Sequence, residues 1–245
     1  MIPFQVNRVR LLVPVALAIA CAPVNGKEKS AASASVGADV ATTTRTDTTL
    51  ASPTVAAQPD SDVVKADLAR IQGSPTAPIW VIEVSDFQCP YCKQWHEETY
   101  HKLRDEFVRT GKVRLAYINY PLAQHRHAAP AAQAAMCAGA QGKFWEMHDV
   151  LFTNQARWSA STSSTAYFES LARGTGVDIA RWRQCVQSGK MMAWIQADHD
   201  RARAAGAAST PSFLIGNRIL IGNQPIEVLR GAIDSALARS GKPTR

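Results

Sequence analysis

The 245-residue sequence has no run of 18 or more apolar residues, which excludes a conventional membrane-spanning helix. It has no basic run interleaved with aromatics, so nucleic-acid binding is not expected, although Lys and Arg outnumber Asp and Glu by 27 to 20. No internal repeat is visible, which argues against a solenoid. Aromatic residues are sparse at 7%, yet 46% of the chain is hydrophobic. That is enough to build a core, so the chain is not disordered throughout. An even number of cysteines is also missing. The five are Cys21, Cys89, Cys92, Cys137 and Cys185. In an oxidising compartment an odd count leaves one thiol reactive, joined to another chain or modified.

The N-terminus accounts for one of them. Arg8 and Arg10 precede an apolar run from Leu11 to Ala22 that only Pro14 interrupts. A basic start, a short apolar stretch and small residues after it read as a signal peptide over residues 1–20. The end of that stretch, Leu17-Ala18-Ile19-Ala20-Cys21, resembles a bacterial lipoprotein processing site. The resemblance implies acylation of Cys21 and a membrane link through lipid alone. Cleavage after Ala20 without acylation, releasing a soluble exported protein, fits the same residues. From 21 to 62 the sequence is rich in Ala, Ser, Thr and Pro and has no aromatics or hydrophobic periodicity. Such a segment reads as a flexible tether, with an r.m.s. span of about 30–35 Å.

Residues 63–245 carry the folded domain. Ile79 to Val84 is β-branched and aromatic, bounded by Pro78 and Ser85-Asp86, and reads as a buried strand. A helix is expected from Pro90 to about Arg109, ending at Gly111, and a second strand over Val113–Asn119. An all-helical stretch occupies about 125–206, with helices expected over 127–138, 143–152, 165–173, 178–186 and 190–205. Strands at Phe213–Ile215 and Ile219–Ile221 flank the two-residue turn Gly216-Asn217. A closing helix starts near Pro225 and buries Ile226, Leu229, Ile233 and Leu237. The fold class is therefore α/β, with an all-helical domain inserted between two β units.

The chemistry concentrates at Cys89-Pro90-Tyr91-Cys92, where the first strand gives way to a helix. A cysteine at a helix N-terminus faces unpaired N–H groups and the positive end of the dipole, which favours its thiolate. Pro90 suits the first helical turn, where no N–H is needed. Cys92 follows within one turn and can close a disulfide. Cys89 is expected to be exposed at the tip, with Cys92 buried behind it. A stabilised Cys89 thiolate is a good leaving group, so the disulfide would be attacked readily by substrate thiolates. The rival reading is metal binding through Cys89, Cys92, His96 and His101, which lacks the usual second cluster of ligands. Two further features sit near the motif. Thr210-Pro211 precedes a strand, where the proline is either cis or a trans proline closing the helix before it. Glu83 is a lone acid six residues before Cys89. If buried, its pKa would rise and it could accept the Cys92 proton; if it faces solvent, it does neither.

Taken together, these segments resemble the DsbA-like branch of the thioredoxin superfamily. The likeness rests on Val81-Ile82-Glu83, Asp86 to Cys92, Gln141 to Trp145, Thr210 to Phe213 and Gly222 to Pro225. It implies a thioredoxin fold with a helical insertion, Cys89 as nucleophile and Cys92 as resolving cysteine. It also implies a cis Pro211 beside the disulfide and Thr210 against substrate backbone, and it places Glu83 at the buried acid. Tyr91 stands where the best-known oxidases have histidine, which implies a less oxidising couple. Cys137 and Cys185 are either two buried small hydrophobes or, as in some relatives, a structural disulfide. The implied partners are unfolded or partly folded exported proteins and a membrane protein that reoxidises the pair. No cofactor and no resident metal are expected. The expected activity is that of a monomeric oxidase in the periplasm or cell envelope. The alternatives are a reductase or isomerase of the same fold, and a non-enzymatic metal-binding lipoprotein.

Overall fold

The computed structural model describes residues 60–241. The signal peptide, Cys21 and nearly all of the tether lie outside the described residues.

The first helix, α1 (Ser61–Ala69), begins just ahead of the expected domain start. The Asp60 carboxylate accepts the Asp62 N–H at 2.8 Å, supplying an N-cap. Val63 and Ala66 are the residues that α1 buries. Five strands follow: β1 (Ile71–Gln72), β2 (Ile79–Ser85), β3 (Val113–Asn119), β4 (Ser212–Ile215) and β5 (Arg218–Ile221). They form one sheet in the order β1-β3-β2-β4-β5. β2 and β3 run parallel, from Ile79 opposite Val113 to Ser85 opposite Asn119, and the other pairs are antiparallel. Gly216, at φ 59°, occupies the left-handed region that the tight β4–β5 turn requires.

The chain crosses from β2 to β3 through a helical run that is not uniform. It consists of α2 (Pro90–Trp95), a π-helical segment His96–Tyr100, α3 (His101–Leu103) and a second π-helical segment Arg104–Val108. Alternate residues of the strands face this run. Val81, Leu115, Phe213 and Ile215 pack with Trp95, Tyr100, Leu103 and Phe107. The closing helix, α10 (Ile226–Arg239), adds Ile226, Leu229, Ile233 and Leu237 to that cluster. Each such side chain contributes roughly 1.5–3 kcal/mol on burial.

Between β3 and β4 lie α4 (Ala128–Gly139), α5 (Phe144–Thr153), α6 (Gln155–Ser159), α7 (Thr165–Arg173), α8 (Ile179–Ser188) and α9 (Met192–Ala204). This is the α/β architecture with an all-helical insertion that the residue pattern implies. The insertion has its own cluster, built on Phe144, Met147, Leu151, Phe152, Trp158, Phe168 and Trp182, and it takes in Phe87, Cys89, Cys92 and Tyr117. The active-site motif therefore packs into the core of the insertion. Cys137 on α4 and Cys185 on α8 are joined by a disulfide with Cα atoms 5.7 Å apart. Among the described residues no helix is long and apolar enough to cross a membrane.

Candidate active site

The motif is set by the turn that leaves β2. The Asp86 carboxylate accepts the Gln88 N–H at 2.7 Å and the Leu122 N–H at 3.0 Å, and pairs with His125 Nδ1 at 2.6 Å. Gln88 Oε1 accepts the His127 N–H at 2.7 Å. Gln155 of α6 donates through Nε2 to the carbonyls of Phe87 at 2.7 Å and Cys89 at 2.9 Å. The turn is thus held from both the β3–α4 loop and the insertion. Cys89 then takes the N-cap position of α2, extended at φ −69° and ψ 124°, with Pro90 opening the helix.

The expectation that Cys89 stands exposed is wrong. Its relative exposure is 3%, against 0% for Cys92, and Tyr91 at 62% is the residue at the tip. Thr210-Pro211 closes over the motif: its peptide bond is cis, and Cys89 Sγ lies 3.5 Å from the Thr210 carbonyl oxygen. Both cysteines are free thiols. Local spacing along the motif could not show a cover that arrives from 121 residues away.

The two thiols differ sharply in acidity. Cys89 is lowered to about 6, chiefly by the hydrogen bond from Cys92, with Thr210 and the N–H groups of Cys92 and Tyr91 adding to it against the opposing effect of burial. Cys92 is pushed well up by complete burial and by the neighbouring Cys89 sulfur. The linkage has a definite sign. A lowered thiol pKa stabilises the reduced fold fully above the unfolded thiol pKa, and that stabilisation is lost as pH falls through about 6. We expect iodoacetamide to modify reduced protein with a midpoint near pH 6, measured by mass spectrometry at Cys89. A midpoint at the ordinary thiol value would show that neither Cys92 nor the helix end activates this sulfur.

Glu83 occupies β2 opposite Tyr117 of β3 and Phe213 of β4. It is fully buried, neither carboxylate oxygen has a hydrogen-bond partner, and burial pushes its pKa up to about 8. The Tyr117 hydroxyl is likewise buried without a partner, and charge on either Glu83 or Cys92 would raise its pKa further. Folded Glu83 keeps its proton up to about pH 8, whereas the unfolded side chain loses it near 4.5. Stability must therefore fall as pH rises between those values. Glu83→Gln removes that dependence. Oxidised variant minus oxidised wild type, followed by thermal melts, should diverge in the variant's favour by roughly 2–3 kcal/mol from pH 5 to 7. Parallel curves would place a charged Glu83 in the native protein.

Three further sets of tryptophan and histidine side chains lie in the domain. Trp182 is buried and donates to the Ala134 carbonyl at 3.1 Å, while Trp145 and Trp194 are half-buried against the insertion core. His148 is buried, edge-on to Phe87, Tyr117 and Phe152. His96 is within metal-ligand range not of the cysteines but of His148 and Asp149. Sequence reasoning missed Asp86, Gln88 and Gln155 as supports, because nothing in a lone Gln or Asp marks a carbonyl or amide it will meet after folding.

Comparison with known proteins agrees with this geometry. The family model described as thioredoxin matches residues 65–235. The Na(+)/H(+) antiporter NhaA 1 of Salinispora arenicola is 34% identical over 71% of this chain, which spans only 26% of that relative's length. The Bacillus anthracis protein named probable disulfide bond formation protein D is 25% identical over 68% of this chain and 77% of its own. The crystal structure of Wolbachia pipientis alpha-DsbA1 superposes with a TM-score of 0.63 at 22% identity, covering 70% of this chain and 92% of that one. The chain belongs to the thioredoxin family, and its fold, with the helical insertion, is the one seen in alpha-DsbA1.

Proposed function

We propose that the protein is a thiol–disulfide oxidoreductase that oxidises cysteine pairs in exported proteins. The observation that carries this reading is the placement of the two thiols, Cys89 at the N-cap of α2 against the Thr210 carbonyl and Cys92 fully buried within the first turn behind it. A substrate thiolate attacks Cys89 Sγ of the disulfide, and Cys92 leaves and takes a proton. The substrate's second thiolate then attacks its own sulfur in the mixed disulfide and expels Cys89 as the stabilised thiolate. Two electrons pass from substrate to the pair, and a membrane partner would have to remove them again. Thr210, with the cis Pro211 beside Cys89, is where substrate backbone would lie.

Disulfide exchange is what the name of the Bacillus anthracis relative describes, and the site chemistry supports bringing it to this chain. Ion transport is not brought across, since the match spans only 26% of the antiporter relative's length. Export, acylation of Cys21 and a monomeric state belong to the same proposal and rest on the N-terminal sequence and its tether. A second reading, reductase or isomerase, is favoured by Tyr91 in place of histidine, which removes one positive charge near Cys89. Redox titration against glutathione separates the two. A potential of about −120 to −150 mV supports an oxidase, and one of about −270 mV a reductase.

A further inference from the structure

We propose that His96, His148 and Asp149 form a binding site for a divalent metal ion of the Zn²⁺ type, which clips the helix carrying Cys92 to the insertion. His96 lies one helical turn beyond Cys92, where the chain widens into the π-helical segment His96–Tyr100. Such single-turn widenings are rare and concentrate at functional positions. His148 and Asp149 come from α5 of the insertion. Asp149 Oδ1 lies 3.1 Å from His96 Nε2 and 2.8 Å from His148 Nδ1, and the three atoms are all within 4.8 Å of one another.

Two imidazole nitrogens and one carboxylate oxygen are a donor set suited to Zn²⁺ and its neighbours rather than to Mg²⁺ or Ca²⁺. Zinc bonds of about 2.0–2.1 Å place tetrahedral ligand atoms roughly 3.3 Å apart, so small side-chain rotations would seat the ion. Three protein ligands leave a fourth position for water. Asp149, 37% exposed, opens that side to solvent, while the two histidine side chains, 5% and 0% exposed, wall the other.

The outer nitrogens show what change of tautomer binding would require. His96 Nδ1 and His148 Nε2 have no hydrogen-bond partner among the described residues. In the ion-free clasp each neutral ring holds its proton on the inner nitrogen, where it donates to the Asp149 carboxylate. When the ion binds, each ring can carry its proton on the outer nitrogen and present the inner lone pair to the metal. Without an ion the same groups form a hydrogen-bonded His–Asp–His clasp.

The test uses untagged, full-length protein with the Cys89–Cys92 disulfide closed, so that no active-site thiol can hold zinc. Zn²⁺ is titrated against a chromophoric chelator, and thermal melts are recorded with and without it. We expect one Zn²⁺ per chain at micromolar or better affinity and a higher melting temperature when it is bound. Asp149→Asn and His96→Gln should each weaken binding tenfold or more and abolish the thermal shift, with unchanged circular dichroism. Failure of wild type to bind zinc overturns the site, as does binding that persists unchanged in both variants. Exchange activity is measured separately on the same samples, so an active protein without zinc affinity removes this inference and leaves the proposed function standing.

Discussion

Cys89→Ser should abolish disulfide exchange, by at least about a thousandfold in insulin reduction, whereas Cys92→Ser should arrest the reaction half-way with substrate held on Cys89. The asymmetry follows from the two environments. Cys89 is the sulfur stabilised as an anion, and it sits against the Thr210 carbonyl where substrate would enter. A serine hydroxyl there has neither the acidity nor the nucleophilicity for exchange. Cys92 is fully buried and held as a thiol, so it is suited to close back onto Cys89 and not to attack from outside. Serine at 92 keeps a donor toward Cys89, so the Cys89 thiolate survives, but its mixed disulfides lose their internal exit. Cys92→Ala removes the largest cause of the lowered Cys89 pKa. It should therefore move the alkylation midpoint upward, while Cys92→Ser moves it less. Non-reducing gels and mass mapping read the trapped species. Exchange at near wild-type rate in Cys89→Ser would end the proposed function.

What could be read from the sequence was local. β3 at Val113–Asn119 and α7 at Thr165–Arg173 have the bounds that apolar alternation and helical periodicity predict. The side chains that α10 buries are those at its apolar spacing. Cys89 at a helix start was legible too, because strand, turn and proline are contiguous. Elements too short for a period were not legible: β1 has two residues and α6 five. Nor were the π-helical segments, since 3.6-residue spacing looks the same whether or not the ladder widens. Contacts that bridge long separations were invisible for a different reason. Gln155 reaches the Cys89 carbonyl across 66 residues, and His96 meets Asp149 across 53. Whether Cys89 is covered depends on the loop at Thr210, not on anything within the motif.

The strongest of those invisible contacts is the buried ion pair between Arg70 and Asp198, 128 residues apart. Arg70 ends α1 at 4% exposure, and Asp198 of α9 is fully buried. The Asp198 carboxylate also accepts from Asn119 Nδ2 at 2.9 Å, the Asn119 N–H at 3.3 Å and Arg201 Nη2 at 2.8 Å. It thereby fastens α1, the end of β3 and α9 at one point. Asn119 lies opposite Ser85, the last residue of β2 before the motif. Asp198→Ala should cost about 3–5 kcal/mol, because a buried guanidinium and the Asn119 amides lose their acceptor together. That is a large share of the 5–15 kcal/mol typical of a folded domain, and it should lower the melting temperature by about 10–15 °C. Asp67 also pairs with Arg70, but it is more than a third exposed and cannot replace the lost partner. The companion test is Arg70→Met with Asp198→Leu. Removing both charges also removes their desolvation penalty, so the double variant should recover most of the loss. If it melts as low as Asp198→Ala alone, the stabilisation resides in the Asn119 contacts and not in the ion pair. The Cys89 alkylation midpoint should stay near 6 in every variant that remains folded, because none of its causes lies at this anchor.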